Sequence, residues 1–145
     1  MSLFDKLQGA KNEKIEAVKA EGQTFLDNNA NQEGVIALPS GLQYKIMSEG
    51  TGTSKPTLQS KVTCHYHGML LNGEVFDSSV QRNQPATFPL NAVIKGWQEG
   101  VQLMPVGSKY CFYIPSHLAY GDNQAGAKIV GGSTLIFEVE LLSIA

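Results

Sequence analysis

The residue types best placed to do chemistry are aromatic rings gathered around one acid. Tyr66, Phe76, Phe112 and Phe137 fall in alternating segments, Trp97 in a short helical one and Tyr120 in a long connection, and Asp77 directly follows Phe76. Residues of this kind are ordinarily core. Three features set these apart. Tyr66 and Tyr120 carry hydroxyls that need partners when buried. Trp97, the single tryptophan, falls in a short helical segment. Asp77 stands at a strand end, where a buried charge is costly unless bonded. No nucleophile–base pair, metal cluster or phosphate loop accompanies the rings. A ring-rich, reagent-poor pocket suits a reaction governed by shape and low polarity rather than by bond breaking.

Other constellations are weaker. His65 and His67 lie two apart on one strand face, but two ligands without a third do not define a metal site, and His117 adds none. They read as a solvated strand face. Gly50-Thr51-Gly52 and Gly131-Gly132-Ser133-Thr134 lack the lysine and helix start of a phosphate loop, so they read as turns. Ser78-Ser79 after Asp77 resembles a hydrolase signature only faintly, because no histidine is near in sequence.

The elements that must position these residues follow from periodicity. From Ser2 to Asn29 the pattern is helical: Phe4, Leu7, Ile15, Val18, Phe25 and Leu26 recur at three- and four-residue steps, interrupted at Lys11 and Gly22. Asn28-Asn29-Ala30-Asn31 ends that arm. Residues 30–41 read as a linker broken by Gly34, Pro39 and Gly41. From Leu42 onward the chain alternates. Strands are expected over 42–47, 61–71, 74–77, 109–114 and 133–144, with Asn72-Gly73 as a hairpin turn. Residues 78–87 read as a loop, 93–103 as a short helix, and 115–132 as a long connection of the kind that often carries function. Strands around one helix make an α+β domain, here over 42–145.

Composition bounds the rest. The 145 residues fit one domain plus the arm, and 42% apolar content fills a single core. A net charge of −2 argues against nucleic acid as a partner. No apolar run reaches the roughly 20 residues that span a bilayer. The first residues mix charge with apolar groups and contain no signal core, so a cytoplasmic location is expected, or a periplasmic one if an export signal once preceded Met1. Alternation points Cys64 inward with Val62 and Tyr66, and Cys111 outward between Tyr110 and Phe112, so no internal disulfide is expected.

Taken in order, Val62–Gly68, Gly73–Ser79, Phe88–Leu90, Val93–Trp97, Leu103–Gly107, Leu118–Gly121 and Leu135–Leu142 resemble the FKBP-type peptidyl-prolyl cis/trans isomerases. Glu21–Asn29, Glu33–Val35 and Leu38–Tyr44 are similar to the bacterial branch that includes the macrophage infectivity potentiators. The resemblance covers roughly residues 21–144. It implies a curved antiparallel sheet wrapped around one short helix, with the pocket between them, and no cofactor or metal.

It further implies that Tyr66, Asp77, Tyr120 and Phe137 act in catalysis. Phe76, Val93, Ile94, Trp97 and Ile129 would bind substrate, with Arg82 and Phe88 in support. Proline-containing polypeptides would be substrates and rapamycin-like macrolides potential ligands. The N-terminal helix would give weak self-association, as a shortened form of a dimerising region. Two positions depart from the family pattern. Ala86 stands where many members carry an aromatic, and Ile129-Val130-Gly131-Gly132 replaces an Ile-Pro-Pro start. Glycines cost more entropy to order than prolines, so a looser loop and weaker macrolide binding are expected. A non-catalytic module that grips unfolded chains would present the same pocket and stays open as the alternative.

Overall fold

The computed structural model describes the backbone from Leu3 to Ala145 and side chains from Glu13 onward. Helix α1 runs Leu3–Asn29, followed by strands β1 Val35–Ala37, β2 Gln43–Ser48, β3 Lys61–Met69 and β4 Val75–Ser78. A single helical turn, α2 Ser79–Arg82, leads to β5 Ala86–Pro89, helix α3 Lys95–Val101, β6 Lys109–Ile114 and β7 Leu135–Ile144. All strand pairings are antiparallel, in the order β1-β2-β6-β7-β3-β4, and β5 pairs with the outer edge of β3 next to β4. This is the α+β architecture expected from the alternation.

Why the sheet folds over α3 is visible in two rows of side chains. Val62 and Cys64 on β3, Phe112 and Ile114 on β6, and Leu135, Val139 and Leu141 on β7 are fully buried beneath the helix. These are the every-second residues of their strands. Across from them α3 offers Trp97 and Val101, and also two glycines one turn apart. A Cβ at Gly96 would lie 2.6 Å from Ile114 Cγ2, and one at Gly100 would lie 2.4 Å from Phe112 Cε1. Only a bare backbone lets α3 sit this close to β6.

Several segments differ from the sequence reading. The expected linker contains β1, a three-residue strand too short to show alternation, whose Val35, Ile36 and Ala37 pair with Lys45, Tyr44 and Gln43. The expected loop at 78–87 contains α2, capped where Ser78 Oγ accepts from the Gln81 N–H, and the first residues of β5. Cys111 is outside the main core cluster, yet it is only 8% exposed because neighbouring strands and Tyr113 cover it. Both thiols are free, and burial pushes that of Cys64 up to about 12.

The arm packs on the domain. Leu26 and Gly22 are buried, and the Phe25 ring lies 6.0 Å from that of Tyr113. At its base, Asn29 Nδ2 donates to Gln43 Oε1 at 2.9 Å, and Gln43 Nε2 donates to the Leu26 carbonyl at 2.9 Å. The side chains of Phe4 and Leu7 lie outside the described residues. No helix described is long and apolar enough to cross a membrane.

Gly100→Ala tests the seat of α3. Helix propensity alone favours alanine by about 0.8–1.0 kcal/mol. Overpacking against Phe112 costs about 1–3 kcal/mol and outweighs it. A lower melting temperature by circular dichroism is expected, and a higher one contradicts the packing described.

Candidate functional site

Between the sheet and α3 opens a cavity of about 360 Å³, lined by Tyr66, Asp77, Ala86, Phe88, Ala92, Val93, Ile94, Trp97, Tyr120 and Phe137. Its floor is the Trp97 indole, only 5% exposed. Three rings meet that indole edge-on: Tyr66 at 5.5 Å, Phe88 at 5.4 Å and Phe137 at 5.4 Å between centroids. Edge-to-face contact is the favoured geometry for aromatic quadrupoles, so the rings hold one another upright. Phe76 stands behind Phe137, centroids 5.3 Å apart and nearly perpendicular, and braces it instead of lining the cavity. Ile129 is likewise buried in the core behind the lining.

Each wall residue is delivered by its element. Tyr66 lies mid-strand on β3, with Val139 opposite it on β7. Phe137 lies on β7 facing Gly68 and Phe112. Asp77 follows from β4, and Ala86 and Phe88 come from β5. Val93 and Ile94 end the 3-10 turn Leu90–Ala92 and open α3. Tyr120 reaches in from the long connection after β6 and is 39% exposed.

One charged side chain borders the cavity, and it is already engaged. Tyr66 Oη donates to Asp77 Oδ2 at 2.8 Å, Arg82 Nη1 bonds Asp77 Oδ1, and Arg82 Nη2 donates to Tyr66 Oη at 2.9 Å. The Arg82 guanidinium also lies 5.7 Å from the centre of the Tyr66 ring. Burial pushes the Asp77 carboxyl up, but the bonds from Arg82 and Tyr66 outweigh it and hold the group below the usual aspartate range. Burial likewise raises the Tyr66 phenol, only partly offset by Arg82. Asp77 is thus a fixed carboxylate and Tyr66 a fixed phenol at neutral pH. Neither is tuned for proton transfer, which needs a pKa near the working pH.

The two histidines and two serines of the sequence reading do meet, away from the cavity. His65 Nδ1 bonds Ser79 Oγ at 2.9 Å, and His67 Nδ1 bonds Ser78 Oγ at 2.8 Å. Both serines are buried and committed to backbone. Ser79 Oγ accepts from the Tyr66 N–H at 2.7 Å, and Ser78 caps α2. Ser78 ends β4 opposite His67, and Ser79 continues along the edge of β3. His117 bonds the Ser40 carbonyl at 2.8 Å, tying the turn before β2 to the connection after β6. Among the described residues no group of three His, Cys, Asp or Glu is placed to hold a metal.

Ala92 lines the cavity without having been singled out from the sequence; a methyl group carries no chemical signal. Ala86, noted as a departure, does line it and leaves room where a ring would stand.

A curved antiparallel sheet over one short helix, with an aromatic cavity between them, defines an α+β domain with its candidate site between sheet and helix. Residues 52–142 match the family described as FKBP-type peptidyl-prolyl cis-trans isomerase, and residues 1–46 match the domain amino terminal to it. The chain belongs to the FKBP-type peptidyl-prolyl cis-trans isomerase family, a family of enzymes. It is 47% identical over 142 residues to the FKBP-type 22 kDa peptidyl-prolyl cis-trans isomerase of Escherichia coli, covering 98% of this chain and 68% of that protein. The crystal structure of FkpA from Escherichia coli superposes with a TM-score of 0.86 at 35% identity, over 94% of this chain and 63% of that one. A peptidyl-prolyl cis-trans isomerase from Pseudomonas syringae gives a TM-score of 0.83 at 37% identity, over 90% of this chain and 95% of that one. The chain thus spans about two thirds of these two Escherichia coli proteins and about half, 46–57%, of several other curated relatives it matches.

The state of Asp77 sets a pH dependence. A carboxylate held below its ordinary value contributes above that value and is lost only as pH falls through the native one. Isomerisation of an X–Pro peptide is expected to be flat from about pH 8 to 5 and to fall only below about pH 4. Asp77→Ala is expected to lower kcat/KM about tenfold, or ~1.4 kcal/mol, with a melting temperature close to wild type because the cluster is half exposed. Full activity in Asp77→Ala removes it from the site.

Proposed function

We propose that this chain accelerates rotation about X–Pro peptide bonds in polypeptides by enclosing the proline in the cavity above Trp97. The observation that carries this reading is the cavity itself: it is walled by rings, floored by an indole, and its one charge is neutralised from outside. Amide resonance sets a rotation barrier of roughly 18–20 kcal/mol and makes the exchange slow. The twisted amide at the top of the barrier has less charge separation than the planar one. A cavity of low polarity favours it relative to water, and no covalent step is required.

In this reading Trp97 lies under the proline ring, with Tyr66, Phe88, Val93, Ile94 and Phe137 around it. The Tyr120 hydroxyl and the Ile94 backbone N–H, at the start of α3, hold the carbonyls flanking the bond. Phe76 and Ile129 support the wall from behind. Asp77 and Arg82 fix the Tyr66 ring by its hydroxyl. Several modest effects suffice, because each tenfold in rate needs only ~1.4 kcal/mol.

The same cavity suits rapamycin-like macrolides, whose entry would change Trp97 emission. The exposed face of α1 suits weak self-association. We place the chain in the cytoplasm because its two free thiols fit a reducing compartment; cell fractionation checks the placement.

Two assays test the proposal together. In a protease-free peptide assay, Leu-Pro is expected to exchange faster than Glu-Pro, because no free positive charge lines the cavity. Equal rates contradict the wall described. In refolding, the chain is expected to accelerate a proline-limited phase. If it suppresses aggregation of a proline-free client but leaves that phase unchanged, the chain is a holding module and not an isomerase.

A further inference from the structure

The connection from Tyr120 to Gly132 carries one cavity residue, Tyr120, and one residue behind the wall, Ile129, yet it contains four glycines and no strand or helix of its own. Its internal ties are few. Besides short turn bonds from the Asn123 N–H to the Tyr120 carbonyl at 3.2 Å and from Gln124 Nε2 to the Gly126 carbonyl at 3.1 Å, the Gly132 N–H donates to the Gly121 carbonyl at 2.8 Å and the Ala125 N–H to the Ile129 carbonyl at 2.9 Å. A loop so rich in glycine loses much entropy on ordering and needs support from outside.

Part of that support comes from β4 and the residue before it, where Lys128 Nζ donates to the Val75 carbonyl at 3.0 Å and pairs with Glu74 at 3.4 Å; the rest, at the end of the loop, comes from α1. Ile15, Lys19, Gly22, Leu26 and Asn29 recur at steps of four and three, so they share one helix face. Lys19 Nζ reaches Asp122 Oδ1 at 2.6 Å. A Cβ at Gly131 would lie 3.2 Å from Ile15 Cγ1 and 2.2 Å from the Asp122 carbonyl oxygen. One at Gly132, where φ is +85°, would lie 2.8 Å from the Ile15 carbonyl oxygen and 3.0 Å from Lys19 Cγ. Further along the same face, a Cβ at Gly22 would lie 2.3 Å from Thr134 Oγ1. The helix thus rests directly on the end of the loop, and the glycine pair is what admits it. Its other end is fixed by the buried Asn29–Gln43 bonds to β2. An exposed ion pair is weak alone, so within the contact made by α1 the seat of Ile15 over Gly131-Gly132 outweighs the Lys19–Asp122 pair.

We propose that α1 is a strap that orders the Tyr120–Gly132 loop, with Ile15 and Lys19 as positioning residues for the isomerase cavity. The helix supplies from outside the order that the two glycines lack. This inference rests on the cavity being the isomerase site.

The test uses the full chain. Ile15→Ala, Lys19→Glu, Asp122→Lys and the Lys19→Glu/Asp122→Lys exchange are compared for kcat/KM on a short X–Pro peptide and for amide hydrogen exchange. Ile15→Ala is expected to lower kcat/KM about fivefold and to speed exchange at Ala125 and Gly132, while β3 and β7 amides stay protected. Each charge reversal alone is expected to do the same more weakly, and the exchanged pair to recover toward wild type. Faster loop exchange with unchanged kcat/KM overturns the positioning role. So do a lowered kcat/KM with unchanged loop amides, and a double variant no better than either single. If wild type itself shows no turnover, the isomerase reading fails, and the loop amides alone decide whether α1 holds the loop.

Discussion

The close seat of α3 on β6 is the constraint on which the rest depends. Two glycines one turn apart bring the helix backbone against Ile114 and Phe112, where any Cβ would collide. That approach fixes the height of the Trp97 indole. Tyr66, Phe88 and Phe137 then meet it edge-on at 5.4–5.5 Å and close a cavity instead of collapsing into core. It also turns the start of α3 toward the cavity rim, with Ile94 as the residue that caps it. Filling the gap between helix and sheet with side chains would raise the floor and remove the space for a proline ring.

Charge is kept at the margin by the same economy. Asp77 faces the cavity, but Arg82 and the Tyr66 hydroxyl satisfy both of its oxygens. The cavity is then lined mainly by apolar side chains and rings, with Tyr120 at its edge, and in the proposed reading the Tyr120 hydroxyl and the Ile94 backbone N–H are its polar contacts. Such a site suits a conformational reaction, in which the transition state differs from the ground state by a twist and by lost amide polarity. The Ser78–His67 and Ser79–His65 pairs show the contrast. They have the composition of a nucleophile and its base, yet both hydroxyls are buried and spent on backbone groups, Ser79 on the Tyr66 N–H of β3 and Ser78 on the Gln81 N–H of α2.

The strands with clean alternation were legible, and β6 falls at the bounds its period marks, Lys109–Ile114. The hairpin at Asn72-Gly73 and the helix under Trp97 were also legible, because turn chemistry and a short three-and-four spacing leave clear signals. The cavity residues were legible mainly through the family resemblance. Depth within the wall was not: nothing in a one-dimensional pattern separates Phe137, which lines the cavity, from Phe76, which braces it. Short elements escaped, since Val35–Ala37 and Ser79–Arg82 are too brief to show a period. Gly22 is the most instructive residue. As a break in the apolar stripe it reads as a flaw in the arm, whereas it marks the point where α1 comes nearest to Thr134. A missing side chain signals contact as often as weakness, and only the fold tells which.

The proposed mechanism is that the cavity lowers a rotational barrier without moving a proton. Its most direct test is the solvent isotope effect on kcat/KM for a short X–Pro peptide, measured by NMR exchange in H₂O and D₂O at matched acidity. A ratio near unity is predicted, because rotation in a dry cavity transfers no exchangeable hydrogen. A clear normal isotope effect, with slower turnover in D₂O, would show a proton in flight at the transition state and contradict catalysis by enclosure.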